Sequence, residues 1–286
     1  MTQEHPLPLR QRMQRLLNDA EQIVDAWRLA GRWDAALTLL RGTQPIAQEQ
    51  GDTAMAMHAL VIGRVLIDQA GFGGFDTYTE REATLDDALT HAIPASDPAL
   101  LGAIWDAKGL SLHTAFLETD HSTEPADELA YFERGLALRQ QAADQRGIAE
   151  SLFHVGLVYG VIRRDHQRAL TYFRDSYELA QAVGDVVMAS YAIRHIAFAQ
   201  HADNDLPAAR ASLEESLRLR EAAGFVPGVA MAWLILAYAD ADLGQRAAAL
   251  EHLRRAKDIF VALGAERRVA WMDELLEEFR HPPTTS

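Results

Sequence analysis

The chain has 286 residues, 49% of them hydrophobic, which is enough apolar chain for a continuous core and too much for intrinsic disorder. Forty-one acids against 27 bases leave a net charge of -14, which argues against non-specific nucleic-acid binding and against docking on an anionic membrane. The absence of cysteine excludes disulfides, thiol nucleophiles, Cys-based zinc sites and iron–sulfur clusters.

Taken from the N-terminus, Met1 to Arg15 is polar and carries arginines at 10, 12 and 15, with no apolar export segment. Leu9 to Ala30 and Trp33 to Glu49 then read as a first helical hairpin. Met55 to Gln69 and Thr79 to His91 read as a second, interrupted by the loop Gly71-Phe72-Gly73-Gly74-Phe75, with Thr79 and Glu82 spaced as a capping box. That loop lacks the preceding strand and the Lys-Ser or Lys-Thr of a phosphate loop, so it is expected to be an inter-helix connection, or a lid carrying Phe72 and Phe75 over a groove mouth. A third hairpin follows if the connection Glu118 to Asp127, which includes His121, is treated as inserted residues; Gly109 then aligns with Gly156 and Tyr131-Phe132 with Tyr172-Phe173. From Gly147 onward a 40-residue period is explicit: Gly184, Gly224 and Gly264 coincide, as do Ala169, Ala209 and Ala249. Within a copy, Leu152, Val155, Gly156 and Tyr159 have helical spacing, and the repeated glycines are expected to close second helices as left-handed caps. A final helix, Glu266 to Phe279, would cover the open end ahead of Pro282-Pro283.

Gly156 in a first helix, with Ala169 and Ser176 in the second, resembles the tetratricopeptide repeat; Leu152, Val155-Gly156 and Tyr159 fit that family's large residue, Leu-Gly pair and tyrosine. The unit departs from the usual length of about 34 residues. It also ends on Ala-x-Gly in place of the closing proline, and Ile196 and Leu236 replace the first-helix glycine. The chain looks most like the long-repeat variety found in bacterial regulators and adaptors, and arginine outnumbering lysine 25 to 2 is consistent with a GC-rich bacterial genome. The resemblance implies an all-α, right-handed α-solenoid forming a single domain, 1–286, with hairpins at about 9–50, 53–92, 97–144, 147–184, 186–224 and 227–264 and a cap at 266–280.

In such a solenoid the first helices line a concave groove. Sliding the repeat places Arg64, Asp68, Asp106, Leu110, His113 and Glu150 on its wall, followed by Phe153, Leu157, Gln200, His201, Trp233 and Asp240. The expected function is non-catalytic recognition of a peptide or protein partner, with Trp233 and Phe153 as apolar anchors and Arg64 meeting a carboxylate. The alternative is a small-molecule or enzymatic pocket in which Asp106, His113, Glu150 and His201 converge. No His-Glu-x-x-His, nucleophile elbow or other metal or cofactor motif supports it, so neither a metal nor a cofactor is expected. His154 and His195 read as packing residues, with Glu150 and His154 an i, i+4 pair. The longest near-uninterrupted apolar stretch, Gly228 to Ala239, is too short to span a bilayer, and a cytoplasmic location is expected.

Overall fold

The computed structural model describes residues 7–119 and 123–280. Its hairpins are α1 (Leu9–Leu29) with α2 (Trp33–Gln50), α3 (Asp52–Asp68) with α4 (Tyr78–Ala95), and α5 (Pro98–Leu117) with α6 (Glu128–Gln141). They continue with α7 (Gln145–Leu157) and α8 (His166–Ala182), α9 (Val186–Ala202) and α10 (Leu206–Ala222), α11 (Val226–Asp242) and α12 (Arg246–Ala262), then the single helix α13 (Glu266–Arg280). Single π turns, Gln69–Gly73 and Val158–Ile162, extend α3 and α7. Each helix packs on its neighbour in the chain, and among the described residues there is no strand. The architecture is therefore an α-solenoid of six hairpins and a terminal helix. His121 and the Pro282-Pro283 tail lie outside the described residues.

Local chemistry sets the helix ends. Asp97, Asp144, Asp165, Asp185 and Asp205 accept backbone N–H groups at the starts of α5, α7, α8, α9 and α10. Gly184, Gly224 and Gly264 close α8, α10 and α12 at φ 70, 66 and 67°, the left-handed conformation in which a side chain would be strained. The expected capping box does not form. Helix α4 starts one residue earlier, at Tyr78, and the Thr77 hydroxyl donates to the Leu66 carbonyl at 2.9 Å. Glu82 instead accepts from Ser111 and lies 3.6 Å from Lys108.

Packing follows the repeat. The Phe132 and Phe173 rings approach Gly109 and Gly156 so closely that a methyl group there would fall 2.5 and 2.6 Å from a ring carbon. The core around them joins Phe153, Val155, Leu157, Tyr159, Ala192 and Ile196.

The two ends of the solenoid meet. The turn after α1 abuts the end of α12 and the start of α11: a Cβ on Gly31 would lie 2.4 Å from Leu263 and 3.2 Å from Pro227. Phe72 packs edge-on against Phe225 at 5.3 Å between centroids. Arg268 of α13 donates to the carbonyls of Gly71 (2.6 Å) and Phe72 (3.2 Å), and Arg267 to that of Gly74 (3.1 Å). The glycine-rich segment is thus part of a seam that closes the superhelix, with Phe72 reaching across it and Phe75 resting near Trp33.

Candidate functional site

Closure converts the concave groove into an interior. Inside it, Arg28 of α1 donates through Nε to Asp68 of α3 at 2.7 Å, and Arg64 of α3 donates to Glu150 of α7 at 3.2 Å. Arg139 of α6 donates to the same Glu150 oxygen at 2.7 Å. Arg28, Asp68, Arg64 and Glu150 keep 23, 19, 29 and 28% of their side-chain surface accessible. These partly accessible groups on the first helices α1, α3 and α7 mark a chamber, and all four sit in pairs of opposite charge. Burial would raise the Glu150 carboxyl, but Arg64 and then Arg139 outweigh it and hold the group well below the usual carboxylate range. Tyr191 of α9 is pushed up to about 12, by burial first and by Asp68 second, which places its phenol within electrostatic reach of the Arg28–Asp68 pair.

Of the twelve residues assigned to the groove wall from sequence, Arg64, Asp68 and Glu150 lie in this chamber. Several others require correction. Asp106 is buried between α5, α6 and α7, 2.7 Å from Arg139 Nη1 and accepting from Ser151 at 2.5 Å. His113 is buried against Glu128 of α6, Nδ1 to Oε1 2.8 Å. Phe153 and Leu157 are each 4% exposed in the core, and Leu110 packs against it. Asp240 is fully buried and accepts from Arg210 at 2.8 Å, with His252 Nδ1 3.0 Å away. Trp233 turns toward α12, beside His252 and under Arg255. Gln200 accepts from Ser212 of α10 at 2.8 Å, and His201 is exposed on Asp242 at 2.7 Å. For all of these but the exposed His201 the physical reason is the same: the stripe taken for the groove wall packs against the second helices.

The four groups of the catalytic alternative do not converge. Asp106 and Glu150 share the Arg139 guanidinium, whereas His113 is committed to Glu128 and His201 lies at the surface. Among the described residues no group of three or more His, Asp or Glu side chains could hold a metal ion. His154 and His195 are buried, as packing residues would be. His154 stacks on Phe132, and His195 lies among Phe153, Phe173 and Phe198.

Sequence reasoning overlooked Arg28, Tyr191 and Arg194, and the fully buried Arg220 beside them. Both Arg194 and Arg220 flank the Tyr191 ring, with guanidinium carbons 5.5 and 5.2 Å from its centroid. A signal did exist. Arg139 and Arg220 each stand eight residues before a glycine, Gly147 and Gly228, and each donates Nη1 to that glycine's carbonyl at 2.6 Å.

No family model matches the chain, and no curated protein matches it in sequence. Among solved structures, the fold is similar to BtubC (BKLC) from P. vanneervenii, with a TM-score of 0.50 and 16% identity over 88% of this chain and 92% of that one. A Rap protein complexed with Competence and Sporulation Factor aligns with a TM-score of 0.49 and 12% identity, over 94% of this chain and 88% of that one. At such identities the BtubC likeness speaks to the fold alone. No helix among the described residues is long and apolar enough to cross a membrane.

Proposed function

We propose that the protein is a non-catalytic recognition module that admits a short peptide, or the exposed end of a protein partner, into the interior of its tetratricopeptide-like superhelix. The observation that carries this reading is the row of charged and aromatic side chains from α1, α3, α7 and α9 that stay accessible inside a closed turn. A fold selected for stability alone gains little from such groups, since charges taken from water need partners and apolar residues of similar volume pack as well. Guests enter by opening the seam, which is held by a few hydrogen bonds and the Phe72–Phe225 contact. Enclosure favours a short guest over a long helix laid along a groove.

The test is fluorescence-polarisation binding against a library of short peptides, with hydrogen exchange on any complex. The reading predicts saturable binding of a subset of peptides and added protection in α3, α7 and α9. Failure of every peptide to bind, or protection confined to α8, α10 and α12, would reject it.

A further inference from the structure

We infer that Arg194 and Arg220 form an oxyanion-binding site in the chamber wall, made for a carboxylate or phosphate carried by the guest; this deepens the recognition reading and rests on it. Buried arginines elsewhere in the solenoid show what a purely structural one looks like. Arg139 has two carboxylates, Asp106 at 2.7 Å and Glu150 at 2.7 Å. Arg81, also fully buried, has the Ser111 hydroxyl and carbonyl and lies 3.7 Å from Glu118. Arg220 occupies the same kind of position as Arg139 and makes the same bond to a glycine carbonyl eight residues on. Yet among the described residues no carboxylate lies within 4.0 Å of Arg220 or of Arg194. The residue eleven after Arg139 is Glu150; the residue eleven after Arg220 is Met231.

The unmet valences are all donors. Arg220 is 0% exposed with Nη2 lacking any partner, and Arg194 Nε and His195 Nδ1 lack one as well. Arg194 Nη2 donates to His195 Nε2 at 3.1 Å, so the proton of the neutral imidazole sits on Nδ1, making it a third donor. Burying a donor without an acceptor costs about 1–3 kcal/mol, more when it is charged, so unpartnered donors on two guanidiniums that flank one Tyr191 ring call for an acceptor-rich guest. Burial pulls the Arg220 guanidinium down to about 9, with Arg194 adding to the fall, as expected for two neighbouring cations without a counter-ion. Arg194 and Tyr191 keep accessible surface whereas Arg220 keeps none, so an arriving oxyanion meets Arg194 first and reaches Arg220 only by displacing the side chains around it.

The experiment is calorimetric titration at low ionic strength with inorganic phosphate and with acetate. The proteins are the wild type, Arg194→Gln, Met231→Glu, and Arg163→Gln, whose exposed guanidinium pairs with Glu124 outside the chamber. The proposal predicts saturable binding of at least one anion to the wild type and to Arg163→Gln, weakened tenfold or more by Arg194→Gln. Met231→Glu would supply the carboxylate that Arg139 already has, so it should abolish anion binding while raising the melting temperature. This variant decides the matter if Arg194→Gln does not fold. Absence of saturable binding to the wild type, or undiminished binding to both chamber variants, would overturn the site. Library peptides tested as free acids and as C-terminal amides separate the two claims. Peptides that bind equally in both forms and resist phosphate competition reject the oxyanion site and leave the recognition reading standing. Phosphate bound at the arginine pair with no peptide bound does the reverse.

Discussion

Arg64 and Glu150, 86 residues apart in the chain, meet at 3.2 Å inside the solenoid and tie its second hairpin to its fourth. The Glu150 carboxylate also receives Arg139, so one acid balances two guanidiniums. Glu150→Gln should cost about 2–3 kcal/mol at neutral pH, somewhat under the roughly 3–5 kcal/mol for breaking a fully buried pair. Urea unfolding of the two proteins checks it, and equal midpoints would show the pair to be idle.

His195 and Glu150 both contribute to the response to acid. Burial, reinforced by Arg194, lowers the His195 imidazole well below its ordinary 6.5, so the stability it contributes is present above that value and is lost as pH falls below it. Glu150 is lowered from 4.5, so its contribution is present above 4.5 and is lost as pH falls further. Unfolding free energy should therefore decline in two stages on acidification. His195→Phe should shrink the upper stage, to which His58 and His252, also lowered by burial, contribute the rest, and Glu150→Gln should shrink the lower. A flat profile from pH 7 to 5 in the wild type would contradict the first assignment.

The seam should be the least stable part of the turn. Arg268→Ala removes two hydrogen bonds to the Gly71 and Phe72 carbonyls, each worth about 1.5–3 kcal/mol when the donor is charged. Hydrogen exchange in residues 69–75 should quicken while α7 and α8 stay protected, and the radius of gyration should rise. Unchanged exchange at 69–75 would mean that the end contact does not hold closure.

Glycine at 156 is a packing requirement. Alanine there would gain about 1 kcal/mol in helix propensity, but its methyl would lie 2.6 Å from the Phe173 ring, and overpacking typically costs about 1–3 kcal/mol. Gly156→Ala should lower the melting temperature; a rise would refute the close approach.

Phe153 and Trp233 act through the fold. Phe153→Ala opens the core beside Phe173 and should cost about 3–5 kcal/mol, whereas Trp233→Ala, at a half-buried site against His252 and Arg255, should cost less. Both losses belong in thermal unfolding curves. A partner-binding defect in a Trp233→Ala protein of full stability would restore Trp233 to the site.

The repeat was readable because its determinants are local: glycine at 184, 224 and 264 to end a helix, aspartate at 165, 185 and 205 to start one, and a glycine under Phe132 and Phe173. The inner face was not. Helices α5 and α11 are apolar nearly all round and bury residues on every side, so periodicity marks no single stripe as the groove wall. Asp106 and Asp240 look like groove acids in sequence because nothing local reveals the arginines, Arg139 and Arg210, that reach them from second helices. Seam contacts such as Arg268 to Gly71 link residues 197 apart, beyond any local pattern. The repeated Arg-to-Gly spacing at 139 and 220 was present in the sequence, but only the structure shows which arginine has its acids.

Because the chain has no cysteine, spin labels can be placed at will, and the distance between Arg32→Cys beside the α1–α2 turn and Val261→Cys near the end of α12 tests closure most directly. A closed superhelix predicts one narrow, short distance that lengthens or broadens in Arg268→Ala. A long, broad distribution in the wild type would mean that the ends stand apart and that there is no chamber for a guest.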